Sequence, residues 1–484
     1  MKICLINPPV EMKYRYWYPI GIGYVASFLL KAGFEVEIID CIGDNLSRAG
    51  FKEQLAQSKA DAFGIGGLIM AFNNVVEISY MIKQMYPDAF IFAGNTVACT
   101  IPEVLISNSA VQVVIMWEGE YTVVNLMKTI KNGNSLETVK GIVFRNKDGE
   151  FIKTTDQPVI RDLDELPLPA WDLIPMENYF KNTVTFPIST VRGCPYNCIY
   201  CCKTFLLNKV RARSPQHVIN EMVEAQRQFK FKIKRVAFFD DLFMYNKKRV
   251  IEFCNLKMST PLIKSLPWDC SGRVNLITEE IVKKMIEANC VSIGCGFESA
   301  DQEVLDYYKK GTTVEQAQKA IDIMKKYNIE FSGSGSFMIG APNETYKTVK
   351  KTVKFCKKNN LRYLPHFTTP YPGTVLYSWA REQGLIGDEL EYIKKISKIG
   401  NTNYLTVNLT KFFTDEELSR LKKDMTYYPS ANLSIALKRR IEESSKIIEL
   451  LFTKGLRETA KEVKRFLSKS SPQIKLELYS NEWF

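Results

Sequence analysis

Apolar residues along the chain gather in short runs, and each run is followed by a stretch where they recur every three or four positions. In residues 1–150 five runs rich in Ile, Val and Phe read as strands: KICLINPP, EVEIIDC, AFGIGGL, AFIFAG and VQVVIMWEG. Helical spacing separates them near Gly21–Lys31, Phe51–Ser58, Asn73–Met85 and Tyr121–Ile130. Such alternation predicts a parallel sheet covered on both faces, with any ligand at the carboxyl ends of its strands. Those ends carry Pro8-Pro9, Gly66-Gly67-Leu68, Gly94-Asn95-Thr96 and Glu118-Gly119-Glu120, small or turn-forming residues that a bulky planar ligand would need. No G-x-G-x-x-G opens a helix after the first strand, which argues against a dinucleotide.

A second series begins at Phe186. Its strands are FPISTVRG, RVAFFDD, LPWDCSGRV, VSIGCGFES, FSGSGSFMIG and YLPHFTTP. Helices are expected near Ser214–Phe229, Lys247–Leu256, Thr278–Ala288, Val314–Tyr327 and Thr345–Lys358. Six such units are too few to close an eight-stranded barrel, so an open partial barrel is predicted. Residues 151–185, dense in proline and acid, read as an extended connector. Residues 386–484 are charged and mostly helical in pattern, with a capping arrangement at Thr414 and Glu417 and a long helical stretch, LKRRIEESSKIIELLFTKGLRETAKEVKRFL. The expected chain is α/β: a Rossmann-like domain over 1–150, a linker over 151–185, a partial barrel over 186–385, and a mostly helical region over 386–484.

Chemistry concentrates in Arg192 to Cys202, RGCPYNCIYCC. Cys194, Cys198 and Cys201 follow C-x-x-x-C-x-x-C, with Tyr200 just before the last. Soft thiolates this close on one loop favour an iron–sulfur cluster or zinc. Structural zinc prefers four protein ligands, usually as two separated pairs. Cys202 is a poor fourth, because adjacent residues cannot both point at one metal without strain. Three ligands leave one iron of a four-iron cluster open to a small molecule.

Composition narrows the setting. The net charge of +12 is uneven: residues 1–150 hold 13 Lys and Arg against 15 Asp and Glu, whereas residues 151–385 hold 34 against 24. A basic middle suits an anionic substrate or simply marks solvated helix faces such as Lys350–Lys358. No arginine-rich or aromatic-interleaved stretch argues for nucleic acid. The longest uncharged run near the start, Tyr16–Leu30, is too short to span a bilayer. Twelve cysteines without a secretory core suggest a reducing cytoplasm rather than disulfides.

The cysteine triad, with Tyr200, Gly193 and Arg192, resembles the radical S-adenosylmethionine (SAM) enzymes. The resemblance implies a 4Fe-4S cluster on Cys194, Cys198 and Cys201, SAM chelated to the fourth iron, and an electron donor such as flavodoxin or ferredoxin. It also implies SAM contacts at strand ends: Asp240 and Asp241 toward the ammonium, Arg273 toward the carboxylate, and Glu298 of GFES toward the ribose. Gly340 to Thr345 matches the family's G-x-P-x-E-T turn, while RARSP, with Arg211 and Arg213, carries no assigned role. His366 is a candidate proton donor or substrate ligand, although a histidine beside apolar residues is more often simply packed.

The strings INPP, YPIGIGYVASFLLKAGFEVEIID, AGNT and WEGEYT occur in the order found in the cobalamin-binding domain that precedes many radical SAM modules. This resemblance places cobalamin against Pro8, Pro9, Gly67, Leu68, Gly94, Asn95, Thr96, Glu118, Gly119 and Glu120. The D-x-H-x-x-G cobalt ligand of the methionine-synthase type of cobalamin domain is missing here, since the only histidines are His217 and His366. Cys4, Cys41 and Cys99 invite comparison with methylthiotransferases, but fit buried small hydrophobes better. The module pair implies methylation of an unactivated carbon of a small molecule or peptide, by hydrogen abstraction followed by transfer from methylcobalamin. Relatives with the same modules perform cyclisation or rearrangement, and a non-catalytic iron–sulfur or zinc scaffold is the alternative outside enzymology.

Overall fold

The strand KICLIN, β1 (Lys2–Asn7), is buried at five of its six positions, as a strand at the centre of a covered parallel sheet should be. A computed structural model of the protein describes residues 1–10, 17–202, 209–331 and 336–427. In it β1 lies between β2 (Glu35–Asp40) and β3 (Ala62–Gly66), parallel to both. β4 (Phe90–Gly94) and β5 (Val113–Ile115) continue the sheet in parallel. Helices Arg48–Ser58 and Phe72–Met85 cover one face through Phe51, Leu55, Val75 and Ile78. Helices Ile20–Lys31 and Gly119–Lys131 cover the other through Tyr24, Phe28, Val123 and Leu126.

Two further strands correct the expectation of an all-parallel sheet. β6 (Ile142–Arg145) and β7 (Phe151–Lys153) form an antiparallel hairpin on the β5 edge. Its turn is held by Asn146, whose Oδ1 accepts from the N–H groups of Asp148 at 3.0 Å and Glu150 at 2.8 Å. The strand order is therefore β2-β1-β3-β4-β5-β6-β7.

The second sheet is an open, wholly parallel array, as the six repeats predict. β8 (Thr185–Ile188) stands at one edge. Two short strands, β9 (Val191–Arg192) and β10 (Arg211–Ala212), follow and pair with each other outside the array. Then come β11 (Arg235–Phe238), β12 (Trp268–Gly272), β13 (Cys290–Glu298), β14 (Glu330–Phe331), β15 (Ser336–Ile339) and β16 (His366–Phe367). The order is β16-β15-β13-β12-β11-β8, with β14 beside β13. Part of the expected strand FSGSGSFMIG, residues 332–335, lies outside the described residues.

One face of these strands packs under helices through Phe238, Phe253, Trp268, Ile293 and Phe337. Strand alternation puts Ala237, Ser271, Gly294 and Gly296 on the opposite, inner face. These four small residues lie on the floor of the half-barrel's trough.

Beyond the array the chain returns to the first domain. Helix Glu389–Ile399 packs on helix Phe72–Met85, with Ser397 Oγ accepting from Asn73 N at 3.0 Å and donating to Met70 O at 2.9 Å. The capping box expected at Thr414 and Glu417 opens helix Asp415–Met425. The helical stretch expected over 437–467 lies outside the described residues. Among the described residues no helix is long and apolar enough to cross a membrane.

Candidate functional site

The cysteine loop leaves the carboxyl end of β8 and is pinched at its neck by the β9–β10 pair, where Arg192 faces Arg211. Cys198 is buried, and Cys194 and Cys201 are half-buried. Burial pushes the Cys194 thiol up. Among the described residues no three His, Cys, Asp or Glu side chains form a site for a single metal ion. A cubane asks something different, one thiolate for each of three separate irons, and a donor set of three cysteines on one loop suits it.

Asp240 and Asp241 separate in role. Asp240 is buried, and it accepts from Thr190 Oγ1 at 2.6 Å and from Val191 N at 2.9 Å. Burial raises its pKa against those donors. Its carboxylate is therefore engaged in holding the segment that leads into the cysteine loop. Asp241 accepts instead from Gly193 N at 3.2 Å, within the loop itself.

Arg273 is likewise engaged by protein. Its guanidinium lies 3.5 Å over the Tyr196 ring, donates to Lys310 O, and approaches Cys198 Sγ at 3.6 Å. Its planar fork lies against the cysteine loop.

Glu298 ends β13 with φ +62°, in the left-handed region, at a register irregularity against β15. That turn aims its carboxylate back over Gly296, where an added Cβ would collide with Glu298 Oε1 and lie 3.0 Å from Lys310 Nζ. Oε1 accepts from Lys310 Nζ at 2.8 Å and from Tyr200 OH at 3.2 Å. Burial, and then the Glu298 charge, raise the Tyr200 hydroxyl far above its ordinary range. Lys310 was not singled out by sequence, because it belongs to an ordinary charged run, YYKKGT.

At the ends of the first sheet, Gly67 is closely packed: a Cβ there would stand 3.0 Å from Ala71 Cβ and 3.1 Å from Pro8 Cγ. Leu68 beside it is 41% exposed, and Asn95 is exposed with φ +67°. Thr96 is buried and its Oγ1 accepts from Ile69 N at 3.0 Å. An exposed apolar tip beside a glycine packed closely against Pro8 and Ala71 suits the flat, largely apolar face of a corrin.

Glu118 and Glu120 face the cysteine loop. Arg192 Nη2 lies 2.5 Å from Glu120 Oε1, and Arg211 donates to both Glu118 oxygens at 2.6 and 3.0 Å. Burial pushes the Glu118 carboxyl up, but the Arg211 and Arg192 charges more than offset it and hold it below its ordinary range. Both carboxylates are thus occupied across the domain boundary, which gives Arg211 of RARSP a role that sequence left open. Arg213, its neighbour, pairs with buried Glu221.

His366 enters the trough from β16 and is half-buried, its Nδ1 2.9 Å from Thr402 Oγ1. Burial and then Lys422 lower its pKa, so the neutral ring is favoured. His217 lies on helix Pro215–Gln228 beside Asp164, outside the first domain. Cys4, Cys41 and Cys99 are buried, and desolvation raises each thiol, that of Cys99 to about 12. Phe239, one residue past β11, is 59% exposed with Trp17 5.7 Å away, an aromatic pair with no signature in the local sequence pattern.

A three-cysteine loop over a half-barrel, docked against the strand ends of a Rossmann-like sheet, defines a two-cofactor radical enzyme. Residues 188–356 match the radical SAM superfamily, and residues 13–127 match the B12 binding domain. An uncharacterised methyltransferase of Pyrococcus horikoshii is 30% identical over 449 residues, 91% of each chain. The anaerobic magnesium-protoporphyrin IX monomethyl ester cyclase of Cereibacter sphaeroides is 28% identical over 391 residues, 78% of this chain and 62% of the cyclase. Among solved structures, the radical SAM methyltransferase TsrM from Kitasatospora setae superposes with a TM-score of 0.66 at 18% identity, covering 80% of this chain and 77% of its own.

The chain belongs to the radical SAM superfamily, in the branch that carries a B12-binding domain ahead of the barrel. Its cofactors are a 4Fe-4S cluster, SAM and cobalamin.

Proposed function

We propose that the enzyme methylates a carbon that is not nucleophilic enough to attack SAM directly. The observation that carries this reading is the docking of the two modules. Glu118 and Glu120, at the carboxyl edge of the first sheet, grip Arg192 and Arg211 at the neck of the cysteine loop. One substrate held between them is within reach of both cofactors. When bound, the cluster supplies the electron that cleaves SAM, and cobalamin carries the methyl group.

Cys194, Cys198 and Cys201 are assigned to the cluster, with Cys202 outside it. Glu298 is assigned to the ribose of SAM, with Tyr200 supporting it. Asp241 rather than Asp240 is the carboxylate nearest the loop. Arg273 is assigned to the cluster loop itself. Pro8, Pro9, Gly67, Leu68, Gly94, Asn95, Thr96 and the backbone at Gly119 are assigned to cobalamin. His366, neutral and at the inner face, can pass a proton to or from substrate through Nε2. Phe239 and Trp17 offer the substrate an apolar wall. An electron donor is required, and a small flavoprotein or ferredoxin fits that need.

The similarity to a cyclase keeps a second reaction in play. Anaerobic incubation with SAM deuterated in its methyl group, a reductant and a cell extract separates the two. Methyl transfer requires S-adenosylhomocysteine and 5′-deoxyadenosine to rise together, with a trideuteromethyl group in some metabolite. If 5′-deoxyadenosine accumulates with substrate while S-adenosylhomocysteine stays at background, the reaction is cyclisation or rearrangement.

A further inference from the structure

We infer that Lys310 is a positioning residue for SAM: it locks Glu298 so that one carboxylate oxygen is spent on the protein and the other is left for the ribose hydroxyls. The inference rests on the assignment of Glu298 to the ribose.

Lys310 lies between Lys309 at φ +49° and Gly311 at φ +64°, a pair of left-handed turns that carry the segment past β13. Its side chain is only 6% exposed. Among the described residues the ammonium contacts Glu298 Oε1 at 2.8 Å and Tyr200 OH at 3.3 Å, and the carbonyl of the same residue takes Arg273. One residue thus joins β13, the Arg273 segment after β12 and the cysteine loop.

The two carboxylate oxygens of Glu298 are not equivalent. Oε1 holds Lys310 and Tyr200, while among the described residues Oε2 has a single long contact, Ser336 Oγ at 3.5 Å. An ionised carboxylate offers about four lone-pair sites, so Oε2 retains capacity for hydroxyl donors. A buried carboxylate also needs a counter-charge, and Lys310 supplies it at close range. Without the ammonium, only the longer bonds from Tyr200 OH at 3.2 Å and Ser336 Oγ at 3.5 Å hold the carboxylate in its orientation. Binding a vicinal diol then requires ordering a side chain that is otherwise already ordered.

A simple staple between β13 and the following loop would show the same contacts, so the test must depend on the ribose. Full-length, anaerobically reconstituted protein is titrated by equilibrium dialysis with SAM and with SAM lacking both ribose hydroxyls. Lys310→Met should weaken SAM by roughly ten- to hundredfold, the range for hydrogen bonds to charged groups. On the dideoxy analogue the same substitution should cost less than about threefold, because the partners it organises are gone. Lys310→Arg, which keeps the charge, should recover most of the SAM affinity. Iron content reports the cluster throughout; if Lys310→Met loses it, Lys310→Gln, which keeps a donor in place, carries the same comparison. An equal penalty for SAM and for the analogue overturns the role of Lys310. If Glu298→Gln discriminates SAM from the analogue as the wild type does, the ribose assignment itself is wrong.

Discussion

Arg273 Nη1 stands 3.6 Å from Cys198 Sγ, a cationic donor directed at a sulfur proposed to bind the cluster. The contact is fixed from the far side by the Tyr196 ring and by Lys310 O. Donors to ligating sulfurs stabilise the reduced cluster and so raise its potential.

Arg273→Gln should therefore make the cluster harder to reduce. The expected fall is tens of millivolts, on the order of the 59 mV that equals a tenfold change in a one-electron equilibrium. A redox titration followed by electron paramagnetic resonance reads it directly. An unchanged midpoint would detach Arg273 from the cluster.

The Arg192–Glu120 pair joins the modules, and Glu120 is 6% exposed at its side chain. Glu120→Gln leaves mostly buried Arg192 with Glu118 alone, a carboxylate it must share with Arg211, which is costly. A fall in Tm of several degrees is expected in calorimetry. The exchange Arg192→Glu with Glu120→Arg should recover part of it, as a non-additive pair does.

Glu344 gives the fold a pH dependence. Burial raises its carboxyl from 4.5 to about 7, against the N–H groups of Gly340 and Ala341 that pull it down. The native state keeps a proton that the unfolded chain has already released between those values. Its contribution to stability is therefore full below about pH 4.5 and is lost as pH rises through about 7. Glu344→Gln should flatten this window. Tm measured across it should fall more in the wild type than in the variant.

Cobalt in the bound cofactor should carry no protein imidazole on its lower face. The first domain contains no histidine, and both histidines of the chain belong to the barrel region. Electron paramagnetic resonance of the Co(II) form should show no axial superhyperfine splitting from a protein nitrogen, with His217→Ala and His366→Ala leaving the spectrum unchanged. Loss of a nitrogen signal in either variant would contradict this.

Gly296→Ala should weaken SAM by at least about tenfold while the iron content holds. The new methyl would occupy the space of Glu298 Oε1 and crowd Lys310 Nζ. Equilibrium dialysis with SAM checks it, and wild-type affinity would mean that the carboxylate does not need its observed position.

Periodicity alone located the main strands and helices. The runs KICLINPP and RVAFFDD, for instance, contain β1 and β11. The β6–β7 hairpin escaped although NKDGE between GIVFR and FIK carries a turn signal, because a parallel pattern had been set by five preceding units. The short helices Thr96–Cys99 and Pro102–Ser107 were missed as well, being too brief for a helical period to register. In the site, spacing alone marked the cysteines. It could not distinguish Asp240 from Asp241, since only the fold decides which of two adjacent carboxylates turns toward Thr190 and which toward Gly193. Ion pairs such as Glu120–Arg192, 72 residues apart, leave no trace in local pattern. Lys310 was hidden for the same reason, as its meaning lies in Tyr200, 110 residues away.

The pinch between β9 and β10 has a bearing on how such enzymes can be recombined. Both arginines at that neck find their anions on the other module, Arg192 on Glu118 and Glu120 and Arg211 on Glu118. A barrel transplanted onto a foreign cobalamin domain would bring two cations to a boundary that no longer answers them. Chimeras of this family should therefore be cut so that the E-G-E turn travels with the cysteine loop, although some 70 residues of sequence separate the two.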